Sequence, residues 1–176
     1  MPAAPRFRLA PLAPALAALL LAGCFAGAPP APRPLARPSY DLVASIRAAG
    51  AREKSVIDVS PLRDPGVAAL QDAAQTDERA GRYRDAEAKL DYALKLSPDS
   101  PDLLQDRAEI AVRLHDYATA ERLARQSWQL GPQLGPLCAR NWQTVVEMRL
   151  QAGDQIGADA ARKSVQGCHR EGVPRY

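Results

Sequence analysis

The chain has 176 residues, with 23 lysines and arginines against 20 acids, a formal net charge of +3 and only 5% aromatic residues. Beyond Asp41 the charges of both signs are interspersed. There is no basic stripe to neutralise phosphates and there are too few aromatic rings for a stacking platform, which excludes nucleic-acid binding.

The first segment carries Arg6 and Arg8, and no acid precedes Asp41. A Leu/Ala-rich stretch follows through Ala22, too short to span a membrane comfortably, which is the layout of a signal peptide. Its end, Leu21-Ala22-Gly23-Cys24, resembles the lipobox of bacterial lipoproteins. The resemblance implies that residues 1–23 are removed and that the Cys24 thiol, a good nucleophile as thiolate, is acylated. A covalent lipid on Cys24 is then the one non-protein group expected, with no cofactor and no metal. Two or more acyl chains make the anchor stable, each buried methylene contributing about 0.8 kcal/mol. Phe25 stands where an aspartate would favour inner-membrane retention, so the resemblance implies an outer-membrane anchor facing the periplasm. The alternatives are an ordinary secretory signal with an incidental cysteine, or an uncleaved anchor helix. Arg6 and Arg8 account for two of the three net positive charges, so the body itself is near neutral.

Residues 24–38 include Pro29, Pro30, Pro32, Pro34 and Pro38. This composition favours extended polyproline conformations at about 3.1 Å per residue, suiting a stand-off tether; plain disorder fits it equally. Residues 39–64 form an N-terminal segment. In it Leu42, Val43 and Ile46 at helical spacing predict a short amphipathic helix ending near Gly50, followed by an extended Val56–Val59. Two roles are open, a helix capping the first hairpin of the region that follows, or a short partner-binding peptide.

From residue 65 the chain repeats itself at a spacing of 34: Tyr83 meets Tyr117, Ala86 Ala120, Glu87 Glu121, Leu96 Leu130 and Pro98 Pro132. The strings Ala80-Gly81-Arg82-Tyr83-Arg84-Asp85-Ala86 and Leu114-His115-Asp116-Tyr117-Ala118-Thr119-Ala120 resemble the tetratricopeptide repeat, a helical hairpin of this period. Gly81 suits the tight turn, and Ala86, Ala93 and Ala120 are small where helices must approach closely. Pro98 and Pro132 end second helices, whereas Pro101 and Pro136 open the next ones. Asp64 and Ser100, each before a proline, read as helix caps. A third, weaker copy turns at Ala152-Gly153-Asp154, lacks the tyrosine after the turn and follows the second by 38 residues, four more around Gly135 to Cys138. The fold class expected is therefore all-α, a tetratricopeptide-type α-solenoid of about three hairpins behind the tether. The repeats are placed at 65–98, 99–132 and 137–168, with helices at 65–80, 84–96, 101–114, 117–130, 137–152 and 155–167, and a tail at 169–176.

Within such a hairpin Cys138 and Cys168 lie at neighbouring ends, and an exported chain meets an oxidising compartment, so the resemblance implies a disulfide between them. Free thiols and metal binding are the alternatives. Only His115 and His169 could join them, which leaves a four-ligand site incomplete without ordinary surface carboxylates. His115 falls in the turn of the second hairpin, where the family usually carries glycine.

Catalysis finds no support. Ser97, Ser100 and Ser127 have no histidine and acid to activate them, and no phosphate loop or nucleophile elbow occurs. Asp102, Asp106 and Arg107 read as part of a solvated face. What the resemblance implies is a binding groove lined by the first helix of each hairpin. It carries over to Gln71, Gln75 and Glu78; to Asp102, Gln105, Glu109 and Arg113; and to Arg140, Gln143 and Glu147. Such an amide-rich, mixed-charge surface suits the backbone of a peptide or helix; the alternative is that these are merely solvated helix residues. The function expected is a non-enzymatic adaptor or assembly factor binding a protein partner in the cell envelope, in secretin or pilus, outer-membrane assembly or peptidoglycan machinery. The rival is a self-associating structural lipoprotein, and the oligomeric state is not legible.

Overall fold

The computed structural model describes residues 40–53 and 64–169. The signal-like segment, the proline-rich stretch, Val56–Val59 and residues 170–176 lie outside the described residues. Among the described residues there are helices α1 (Leu42–Arg52), α2 (Pro65–Arg79), α3 (Tyr83–Leu96), α4 (Pro101–Arg113), α5 (Tyr117–Leu130), α6 (Gly135–Gln151) and α7 (Gln155–Gly167), and no strand. The hairpins α2/α3, α4/α5 and α6/α7 stack in chain order, each packed on the next. The architecture is a tetratricopeptide-type α-solenoid.

Local chemistry explains the boundaries. Asp64 accepts from the Gly66 and Val67 amides and Pro65 fills the first turn, so α2 starts with its orphan donors satisfied. Asp116 and Asp154 cap α5 and α7 in the same way through Thr119 and Gly157. Ser100, read as a cap, makes no side-chain capping bond; Pro101 alone fixes the start of α4. The turns of the first and third hairpins place Gly81 and Gly153 at φ of 75° and 74°. The second uses His115 at φ 62°, a left-handed conformation that costs a side-chain-bearing residue about 1–2 kcal/mol.

Ala86, Ala93 and Ala120 are fully buried, so the small positions of the repeat are where helix backbones meet. Val67, Ala74, Leu90, Leu103 and Ile110 form the core between the first hairpin and α4. The four extra residues of the third copy do not lengthen a loop. They become the first turn of α6, which begins at Gly135 rather than 137 and runs for 17 residues. At that end Trp128 and Trp142 meet edge to face at 5.2 Å, with the Arg125 guanidinium over the Trp142 ring.

Cys138 and Cys168 are joined by a disulfide across α6 and α7, and both are buried. The outer face of α7 carries Gln155, Asp159, Arg162, Lys163 and Gln166, with Ala160 and Ile156, the latter 85% exposed, as its apolar members. The last helix thus serves as its own cap.

The position of α1 corrects the expectation of a cap on the first hairpin. It packs chiefly along α6, with further contacts to α4, on the face formed by the first helices of the hairpins. Leu42, Val43 and Ile46 enter a core with Ala111, Val112, Ala120 and Met148. The reason is complementarity: the apolar stripe of α1 finds small and flexible residues there.

Candidate functional site

The residues expected to line a groove do face one concave surface, but α1 occupies much of it. Gln105 and Glu109 are fully buried and Glu147 is 2% exposed, so these three are corrected from free groove residues to contacts beneath a helix. Each is held by named partners. The Gln105 amide donates to Glu109 and to the Thr144 hydroxyl, both at 3.0 Å. Ser45 and Gln143 donate to one Glu147 oxygen at 2.7 and 2.8 Å, and the Tyr40 hydroxyl donates to the other. Burial and this bond to Glu147 push the Tyr40 phenol up to about 12. Gly50 brings α1 so close to α6 that an added Cβ would lie 2.7 Å from Arg140 Cγ and 3.0 Å from the Pro136 carbonyl.

Charge crosses this surface in strict alternation. Gln71 of α2 donates to Asp106 of α4 at 2.6 Å, and Asp106 accepts from Arg140 of α6 at 2.9 Å. Arg140 also donates to Glu109, whose other oxygen takes Nε of Arg47 from α1 at 2.6 Å. Arg47 reaches on to Glu78 of α2 at 2.7 Å, and Arg113 bridges Glu78 and Asp41. Burial alone would lower both guanidinium pKa values. For Arg140 the carboxylates of Glu109 and Asp106 outweigh it, and for Arg47 those of Glu109 and Glu78, so both are held above the ordinary range. Asp41 is pushed up by burial, but the Ala44 amide and Arg113 together hold it below the ordinary carboxylate value. Desolvation offsets much of the attraction at the buried Glu109, and solvent screens the half-exposed Arg47 and Asp41.

The half nearer α2 stays open. A cleft of about 510 Å³ lies between α2, α4 and the Arg47 side of α1. Its apolar floor is Ala74, Leu90 and Ile110; of the expected set Gln71 lines it as a buried side chain, and Gln75, Glu78, Asp102 and Arg140 also line it. Arg79 and Arg47 complete the rim. Arg113, also expected in a groove, instead bonds Asp41 at the N-cap of α1, and Gln143 bonds Glu147 along α6.

Sequence reasoning missed Tyr40, Ser45 and Arg47, because they lie outside the repeat register that located the groove. Arg107, read as solvated, is buried and paired with Glu87 and with Asp91 on α3. The third turn of α5 brings Ser127 Oγ to the Pro101 carbonyl at 2.8 Å, a packing contact rather than a nucleophile. His169 Nδ1 lies 2.9 Å from Glu53 Oε1, tying the residue after Cys168 to the C-cap of α1. Among the described residues no cluster of His, Cys, Asp and Glu is placed to hold a metal ion.

Comparison with known proteins agrees with this architecture. The tetratricopeptide repeat family matches residues 79–139. The globular C-terminal domain of P. aeruginosa LpoP is 29% identical in sequence, with a TM-score of 0.56 over 60% of this chain and 99% of that domain. No curated protein matches the chain.

Proposed function

We propose that this chain is an outer-membrane lipoprotein, acylated at Cys24, whose tetratricopeptide body faces the periplasm and acts as an adaptor or assembly factor for an envelope complex. The observation that carries the docking part of this reading is the open cleft. A polar rim over an apolar floor, on a repeat scaffold with no assembled catalytic group among the described residues, suits a peptide segment of a protein partner. The likeness to a domain described as globular and C-terminal supports the division into a leader at 1–23, a linker at 24–38 and a body that follows. The pairing of Cys138 with Cys168 suits an oxidising compartment. Secretin or pilus, outer-membrane assembly and peptidoglycan machinery are the candidate settings.

A photoreactive residue at Gln75, which is exposed on the rim, is the direct test. The expected result is one captured protein shared with a probe at Asp102 and absent from a probe at Lys163 on α7. Identical adducts at all three positions would overturn the docking surface. Cys24→Ser should release the protein from membranes or block its maturation, and unchanged fractionation with unchanged mass would refute the anchor. The second reading, self-association through the last hairpin, is favoured by the exposure of Ile156. Light scattering distinguishes it, since a dimer abolished by Ile156→Lys supports self-association and a monomer removes it.

A further inference from the structure

The open cleft between α2, α4 and the Arg47 side of α1 is balanced in formal charge and unbalanced in access. Its lining sets Arg47, Arg79 and Arg140 against Glu78, Asp102 and Asp106. Arg47, Arg79 and the Gln75 amide are exposed, whereas none of the three acids is. Glu78, with 8% of its side chain accessible, is held by Arg47 and Arg113, and Asp106, at 15%, by Gln71 and Arg140. Arg47 gives Nε to Glu109 and one terminal nitrogen to Glu78, yet 47% of its side chain stays accessible. Arg79 differs from the other guanidiniums of the cleft. It bonds the neutral Thr76 hydroxyl at 3.0 Å, and among the described residues no carboxylate pairs with it.

We infer that this cleft takes an acidic peptide segment, in which a Leu, Ile or Met side chain enters against Ala74, Leu90 and Ile110 and a neighbouring Glu or Asp pairs with Arg79 and the remaining edge of Arg47. The inference rests on the docking reading above and adds the chemistry of the segment. Charge complementarity at the mouth carries it. An incoming carboxylate meets two accessible guanidiniums, whose planar forks match its two oxygens. An incoming lysine or arginine meets the same guanidiniums as like charges, and reaches Glu78 or Asp106 only by breaking a bond that α1, α2 or α6 already makes. Arg47 belongs to a helix outside the repeat, so the positive mouth is created by the docking of α1 and not by the repeat positions alone.

The test selects displayed random ten-residue peptides on the full chain, in parallel with Arg79→Glu and with Lys163→Glu, which reverses an exposed charge on α7 outside the cleft. Peptides bound by the unaltered chain should be enriched in Glu or Asp within three residues of Leu, Ile or Met. A synthetic copy of the most enriched peptide should bind Arg79→Glu about fivefold more weakly, the scale of one exposed ion pair, and bind Lys163→Glu unchanged. Because Arg79 has no ion pair to lose, the thermal midpoint of Arg79→Glu should match that of the unaltered chain. Enriched peptides without an excess of acids, or an acidic preference that Arg79→Glu leaves in place, would overturn the inference while the docking surface stands. Equal weakening by Lys163→Glu would mark a general charge effect and would overturn it too. Failure to enrich any peptide would also overturn it, and the photoreactive probe at Gln75 then decides separately whether the docking reading survives.

Discussion

The two halves of the concave surface are built from the same repeat positions and have opposite fates. Toward α6, Gln105, Glu109 and Glu147 are sealed beneath α1; toward α2, Gln75 stands exposed beside an open cleft that Glu78 and the buried Gln71 also line. Nothing in the repeat chemistry separates them, since both halves present amides and carboxylates. The difference comes from a helix outside the repeat, whose Arg47 and Ser45 add donors to acids already bonded to Arg140, Gln105 and Gln143. A repeat position therefore fixes where a side chain points, and a neighbour in trans to the repeat decides whether it is available.

The contrast is sharpest under mutation. Ile46→Asp would bury an unpaired charge at a fully covered position and should cost about 4–5 kcal/mol in denaturant unfolding. Replacing Cys138 and Cys168 by alanine removes the bridge between α6, on which α1 lies, and α7, at a sequence separation of 30, and should cost about 3–4 kcal/mol on the chain-entropy account. Ser45→Ala leaves the buried Glu147 short of one donor and should cost about 1–2 kcal/mol. On the open side Gln75→Ala should stay within about 0.5 kcal/mol in the same unfolding measurement. If Gln75→Ala destabilised as strongly as Ile46→Asp, the distinction between the halves would fail.

Titration probes the same seam. The folded pKa of Tyr40 is raised, so its contribution is complete below the unfolded value near 10 and is lost as pH rises through about 12. Asp41 has a lowered folded value, so its contribution is present above the ordinary carboxylate range and is lost as pH falls through the lowered one. Tyr40→Phe should flatten the alkaline limb of the unfolding midpoint against pH, and Asp41→Asn the acid limb. Unchanged limbs would show that α1 is not held by these contacts.

Most of the helix boundaries were legible because prolines, capping aspartates and the 34-residue period act locally. The start of α6 was misplaced because four inserted residues are equally compatible with a loop or an extra turn, and the Gly135 turn decides between them. The groove residues were located correctly on one face, yet their burial was not legible. The apolar stripe of Leu42, Val43 and Ile46 announces a helix that must be covered, but its destination depends on contacts more than sixty residues away. The acids on α4 and α6 were the signal available: within its own hairpin each of Glu109 and Glu147 has one amide donor, from Gln105 and Gln143, and the other donors come from outside it.

The docking of α1 also orders events in time. The Tyr40–Glu147 bond joins residues 107 apart in sequence, and the His169–Glu53 contact joins residues 116 apart. In a chain made from its N-terminus, the first of the described helices therefore has to wait for the last hairpin before it has a surface to lie on. Until then Leu42, Val43 and Ile46 travel uncovered while the earlier hairpins assemble from local contacts. Completion of the body, and burial of the apolar stripe of α1, coincide with the arrival of the C-terminal helices.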